Sequence, residues 1–198
     1  MSGSKSFDMA YTGHFEAQAF TTDNQSYAFD TSGAYTFQLM LGNSTGGATP
    51  TVEIWTSHVV STHSLPDSSI ATLAKTAGTI GSGASLITFS PSGSSFNLDA
   101  GTTYFVVFKS DSTTEGNGIG WQWVNSSTGL GSPMPTWQIP STDTFATKAG
   151  ASEWVSANGT PYLMEVTVPE PHQYGLLAGL GLLGFVAYRN RNRLAKLA

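Results

Sequence analysis

Three kinds of chemistry can be sought first in the 198 residues: nucleophilic catalysis, metal binding and ring stacking. Ser, His and Asp are all present, but no Gly-x-Ser-x-Gly turn occurs that would raise a serine above a sheet edge. There is no Cys, which excludes a thiolate nucleophile, a thiolate metal site and a disulfide. His14, His58, His63 and His172 show no metal-ligand spacing; His58 and His63 lie five apart and flank an expected loop. Paired carboxylates for glycoside hydrolysis would have to come from 13 acidic residues, most of them in expected loops. The loop Asp111-Ser112-Thr113-Thr114-Glu115-Gly116-Asn117 offers hard oxygen ligands of the kind Ca²⁺ takes, but not in EF-hand order, and a solvated turn is the expected reading. No catalytic or metal-ligating residue is assigned, no cofactor is required, and the chain is not expected to be an enzyme. Trp121 and Trp123 share one face of an expected strand, with Trp137 and Trp154 downstream. Exposed, the pair could stack on sugar rings. The favoured reading is that both fill the core and that Gln122 between them faces water.

The elements that would hold these residues are strands. Short apolar or alternating runs recur at 14–20, 34–41, 51–56, 85–90, 103–109, 119–124 and 162–168, with weaker ones at 27–30 and 69–74. Along 34–41, Tyr35, Phe37, Leu39 and Leu41 fall on one face. Residues 104–108 are apolar on both faces, as a strand covered on both sides would be. The links are rich in Gly, Ser, Thr, Asn and Asp. No amphipathic helix of useful length appears. The expected fold is all-β: an antiparallel β-sandwich, jelly-roll or Ig-like, followed by a single C-terminal transmembrane helix. Charged residues make up only 11% of the chain, against about 25% in typical soluble domains. All 13 acids and only four lysines, Lys5, Lys75, Lys109 and Lys148, lie in residues 1–170. Phosphate recognition needs clustered Lys and Arg, so nucleic acid is not an expected partner of the body.

The tail differs in kind. Residues 174–188, YGLLAGLGLLGFVAY, carry no charge and are followed by RNRNR. As a helix the run would extend about 23 Å, short of a hydrocarbon core of about 30 Å. Tyr174 and Tyr188 at the interfaces, His172 and Gln173 in front and snorkelling arginines would complete the span. The cluster Arg189, Arg191 and Arg193 would stay cytoplasmic, placing the body outside. Gly179-Leu180-Gly181-Leu182-Leu183-Gly184 spells a dinucleotide fingerprint, but it lacks the strand–turn–helix setting that motif needs. Gly175 and Gly179 form a GxxxG pair that would let helices approach closely in lipid. Before the run stand Pro169, Glu170 and Pro171, two prolines that force an extended segment a processing enzyme can grip.

A Pro-Glu-Pro handle, an apolar run and a basic cluster in that order resemble the PEP-CTERM sorting signal, over about the last 30 residues. Here Arg alternates with Asn, and residues 194–198 extend the cluster. The resemblance implies recognition by an exosortase, a membrane transpeptidase, cleavage near the handle, and release of the body to the cell surface or extracellular matrix. In the body, Glu16-Ala17-Gln18-Ala19-Phe20-Thr21-Thr22, Pro50-Thr51-Val52-Glu53-Ile54-Trp55, Ile70-Ala71-Thr72-Leu73 and Phe96-Asn97-Leu98-Asp99-Ala100-Gly101-Thr102-Thr103-Tyr104 resemble the choice-of-anchor domains, most closely the R type. That resemblance implies a surface domain and transfers no catalytic residue.

The expected organisation is an N-terminal segment at 1–13, a sandwich ectodomain at 14–168, the sorting signal at 169–193 and a tail at 194–198. Residues 1–10 hold no apolar leader, so export requires one encoded upstream of Met1, one already removed, or another route. The expected function is that of an exported structural or interaction protein; the alternative is a module for extracellular polysaccharide that uses exposed Trp121 and Trp123. The expected partners are the transpeptidase, the membrane and such a polysaccharide.

Overall fold

Alternation between apolar and polar residues builds strands throughout the body. The computed structural model describes residues 5–32, 35–42, 47–114, 118–124, 136–140, 143, 145–149, 153–157 and 161–167, with the backbone alone for 5–9, 123–124, 145 and 157. All belong to one unit, Met1–Thr167. The expected handle, apolar run and basic cluster lie outside the described residues, as does the expected transmembrane helix. Among the described residues there is no helix and there are thirteen strands. They are β1 (Lys5–Ala10), β2 (His14–Thr21), β3 (Tyr27–Phe29), β4 (Thr36–Gly42), β5 (Pro50–Val60), β6 (His63–Ala77), β7 (Ser85–Ser92), β8 (Phe96–Leu98), β9 (Thr103–Ser110), β10 (Ile119–Val124), β11 (Phe145–Ala149), β12 (Val155–Ala157) and β13 (Met164–Thr167).

Eleven strands form one antiparallel sheet in the order β1-β10-β4-β7-β6-β5-β9-β2-β11-β12, with β13 also on β4. On β4, β13 pairs with residues 36–39 and β10 with Leu41 and Gly42, so the two lie end to end along one edge. The sheet curls strongly. Strands β4 and β2 are five places apart, which would separate them by about 24 Å in a flat sheet. Yet the rings of Phe20 on β2 and Phe37 on β4 have centroids 6.5 Å apart. The curl wraps one sheet around a core of Phe20, Phe37, Leu39, Leu41, Ile54, Phe108 and Trp121, all fully buried. The ribbon β3–β8 closes this core with aromatic rings. Phe29 stacks on Phe96 at 4.9 Å, and Trp137 lies flat on Phe20 at 5.0 Å with Tyr27 edge-on at 5.1 Å.

Strand β9 is covered on both faces, as its sequence indicates. Tyr104, Val106 and Phe108 enter the main core, while Phe105 and Val107 join Ala17, Ala19, Ala146 and Leu65 in a second cluster on the outer face. Leu65 belongs to the β5–β6 hairpin, which is longer than the expected run at 69–74. Register shifts at Ile54/Trp55 and Trp55/Ser57 bend this hairpin, and the second admits Pro66 into a strand. Four strands were not expected. β1 lies in the segment set apart as N-terminal, yet all six of its residues pair with β10. β8, β11 and β12 have three to five residues each, too few for a period to show.

Glycine is required at the entry to β10. A Cβ on Gly118 would collide with the carbonyl oxygen of Ala10, so any larger residue must push β1 from β10. Gly118→Ala should lower stability by about 1–3 kcal/mol, read as a lower urea midpoint with an unchanged slope.

Candidate functional site

Strand β2 sends two polar side chains, Glu16 and Gln18, into the main core, because alternation turns both inward with Phe20. Their positions oppose Phe108 and Val106 of β9, and they are 1% and 0% exposed. Their partner comes from the other end of the chain. The Tyr162 hydroxyl donates to Glu16 Oε2, and the Tyr162 N–H donates to Gln18 Oε1 at 2.7 Å. Nδ1 of His14 lies 3.2 Å from Glu16 Oε1, and Gln18 Nε2 donates to the Ala19 carbonyl at 2.9 Å. The Tyr162 ring stacks on Trp121 at 4.7 Å. Leu163 then donates to the Gln122 carbonyl, and its own carbonyl accepts from Met40 N–H and from Trp121 Nε1. Residues 161–163 are thus threaded into the core just before β13.

A second polar cluster sits where the β5–β6 hairpin meets β12. Asp143 is buried and adopts φ 53°, a left-handed conformation that Asp tolerates better than most residues. Its Oδ2 accepts from Ser64 N–H at 2.8 Å; its Oδ1 lies 2.7 Å from His63 Nδ1 and accepts from Ser156 Oγ. Burial raises the affinity of this carboxyl for a proton. The bonds from Ser156, Ser64 and His63, together with the charge on His63, outweigh burial and hold it below the usual carboxylate range. The residue types are those of a hydrolase triad, but the connectivity differs. Ser156 and His63 both bond to the carboxylate, so the imidazole is not placed to take the serine proton. The cluster pins the hairpin to the β11–β12 end of the sheet.

The outer face carries a third group. Phe15, Trp55 and Trp154 are half-buried over the small side chains of Ala17, Ala19 and Ala146. Trp154 meets Trp55 edge-on, at 76° and 6.1 Å, and Phe15 at 6.4 Å. The Lys109 ammonium lies 5.3 Å from the Phe15 ring centre and 5.0 Å from that of Trp55. Glu53 Oε2 accepts from Lys109 at 2.7 Å and from Trp55 Nε1 at 2.6 Å. Lys148 pairs with Phe15 across β11 and β2.

Trp121 is fully buried, so its ring is closed to a ligand; the Trp123 side chain lies outside the described residues. Gln122, expected to face water, is instead buried at 4% exposed, and its backbone carbonyl accepts from Leu163 N–H. Of the loop weighed for Ca²⁺ and read as a solvated turn, Asp111 Oδ1 accepts from Thr49 N–H at 2.6 Å and ties down the entry to β5; residues 115–117 lie outside the described residues. Among the described residues no three His, Asp or Glu side chains converge on a metal-sized site. The handle, membrane and basic-cluster residues are not among those described. The outer-face group escaped sequence reading because its members come from different strands and a loop; the one local sign was Trp55 beside Glu53 on the polar face of β5.

Residues 167–192 match the model of a family described as PEP-CTERM protein-sorting motif. No curated protein matches the chain. The C-terminal region therefore carries a protein-sorting motif. The match includes none of the residues on which the likeness to choice-of-anchor domains rests.

Tyr162→Phe should destabilise the protein by about 1–3 kcal/mol, the cost of removing one partner of a buried hydrogen bond, seen as a lower denaturant midpoint at pH 7. For Asp143 the sign of the pH effect follows from its depressed folded-state affinity for protons. Its contribution is complete above the unfolded value of about 3.9 and is lost as pH falls through the lower folded value. Asp143→Asn should therefore be less stable than the parent at pH 7, and the gap should narrow as pH falls below the unfolded value of about 3.9; paired melts across pH 2–7 measure it.

Proposed function

We propose that the chain is an exosortase substrate: an exported protein held in a membrane by its C-terminal apolar run, processed at Pro169-Glu170-Pro171 and displayed at the cell surface or in the extracellular matrix. The observation that carries this reading is the match over residues 167–192, which begins at the last residue of β13. The motif thus starts where the last described strand ends, and processing within it would spare every strand of the body. The separate functions of its parts follow from chemistry. The prolines would deny the handle a helix or a central strand, leaving its backbone open to a protease cleft. The basic cluster would set the orientation by resisting passage through the bilayer. The same cluster would remain with the discarded tail.

For the body we propose a structural or interaction role without catalysis. Support comes from the way its polar clusters are used. Glu16 and Gln18 secure the C-terminal segment, and Asp143 secures a hairpin, with both His63 and Ser156 bound to one carboxylate.

Intact-mass measurement of the protein from surface fractions of its native host tests the sorting reading. The expected mature chain ends between Thr167 and Pro171, and Glu170→Gln should accumulate full-length protein in the membrane fraction. Surface-located chains intact through Ala198 would overturn it.

A further inference from the structure

We propose that the outer face of the sheet binds an acidic saccharide, with Trp154, Trp55, Phe15, Lys109, Lys148 and Glu53 as the site. The argument begins with charge. Residues 1–170 hold four lysines against 13 acids. Two of those four, Lys109 and Lys148, fall on either side of Phe15. Lys109 stands over its ring, and Lys148 is its partner in the β11–β2 register. On an acidic body this concentrates positive charge beside aromatic rings. It attracts a single carboxylate more readily than a polyphosphate, which needs many cations.

The rings narrow the ligand class. Phe15, Trp55 and Trp154 remain half-exposed although the alanines beneath them are fully covered. Trp55 and Trp154 meet at 76°, so they form a corner, not a flat plate. A corner can take the apolar C–H face of a pyranose on one wall and its edge against the other. Glu53 decides between a sugar and an acidic peptide. Its carboxylate lies 2.7 Å from Lys109 and is 15% exposed. It repels a ligand made only of anions and accepts from one that also brings hydroxyl donors. A sugar acid has both groups on one ring: a carboxylate for the lysines and hydroxyls for Glu53. Lys109 and Glu53 already hold each other and Trp55 in place, so the site is ordered before binding. It is distinct from the buried Trp121 and from the sorting motif, and binding by purified protein does not depend on export.

The test is calorimetric titration of the full-length chain in detergent with polygalacturonate, with dextran as the neutral polymer and polyglutamate as the acidic peptide. Saturable binding of polygalacturonate alone is expected, weakened by salt because the attraction is partly ionic. Trp154→Ala and Lys148→Gln should each weaken it by at least about tenfold, equivalent to 1.4 kcal/mol. Thermal melts identify any variant that misfolds, and Lys148→Gln, which keeps most of a half-buried side chain, is the milder probe. Absence of saturable polygalacturonate binding, equal binding of polyglutamate or dextran, or unchanged affinity in a folded Lys148→Gln protein would each overturn the proposal.

Discussion

A buried carboxylate near one end of the chain meets a tyrosine near the other, and the rest of the body is arranged around that contact. Glu16 and Gln18 face the core because strand periodicity leaves them no alternative on β2. Buried polar groups destabilise a fold unless they are bonded. Tyr162 supplies bonds to both from 146 and 144 positions away. The core is therefore complete only when residues 161–167 have arrived. β13 then pairs beside β10 along β4, and its last residue, Thr167, is the first residue of the matched motif. Among the described residues, the segment that closes the core therefore adjoins the sorting motif.

On the proposed sorting route, in which the C-terminal signal would stay in a bilayer while the body crosses, that coupling would have a consequence. An interior closed by its last described strand would not become stable until translocation was nearly complete. Hydrophobic strands in transit are exposed to pairing with other chains. The low charge of this body offers little electrostatic protection, so secure closure by the final strand is a useful property. The Asp143 cluster acts similarly at another place. It fixes a bent hairpin over small alanines, giving a second buried layer on a sheet whose outer face would otherwise be open.

How much of this was legible follows from range. The strands at β2, β4, β9 and β10 show in the sequence because each has enough residues for apolar alternation to repeat. β9 even shows its double coverage, since Tyr104 to Phe108 are apolar on both faces. The handle and apolar tail are legible because their meaning is local. By contrast, β8, β11 and β12 are too short for alternation to repeat clearly, and β1 is defined by its partner rather than by its own pattern. Gln122 was read as facing water because its neighbour Trp121 is apolar, yet both are buried, and alternation alone does not reveal a strand covered on both faces. Asp143 and His63 are 80 positions apart. Phe15 on β2, Trp55 on β5 and Trp154 just before β12 are brought together only by the fold, and no local window contains all three.

The claim at the centre is that the folded body is finished at Thr167 and that its closing segment is essential. Comparing two shortened chains tests it directly: one ending at Thr167, the other ending before Pro161. The account predicts that the first melts cooperatively near the temperature of the full chain's body, with the same near-ultraviolet signature of packed tryptophans, and that the second lacks both. A chain ending at Thr167 that cannot fold, or one without residues 161–167 that folds normally, would contradict it.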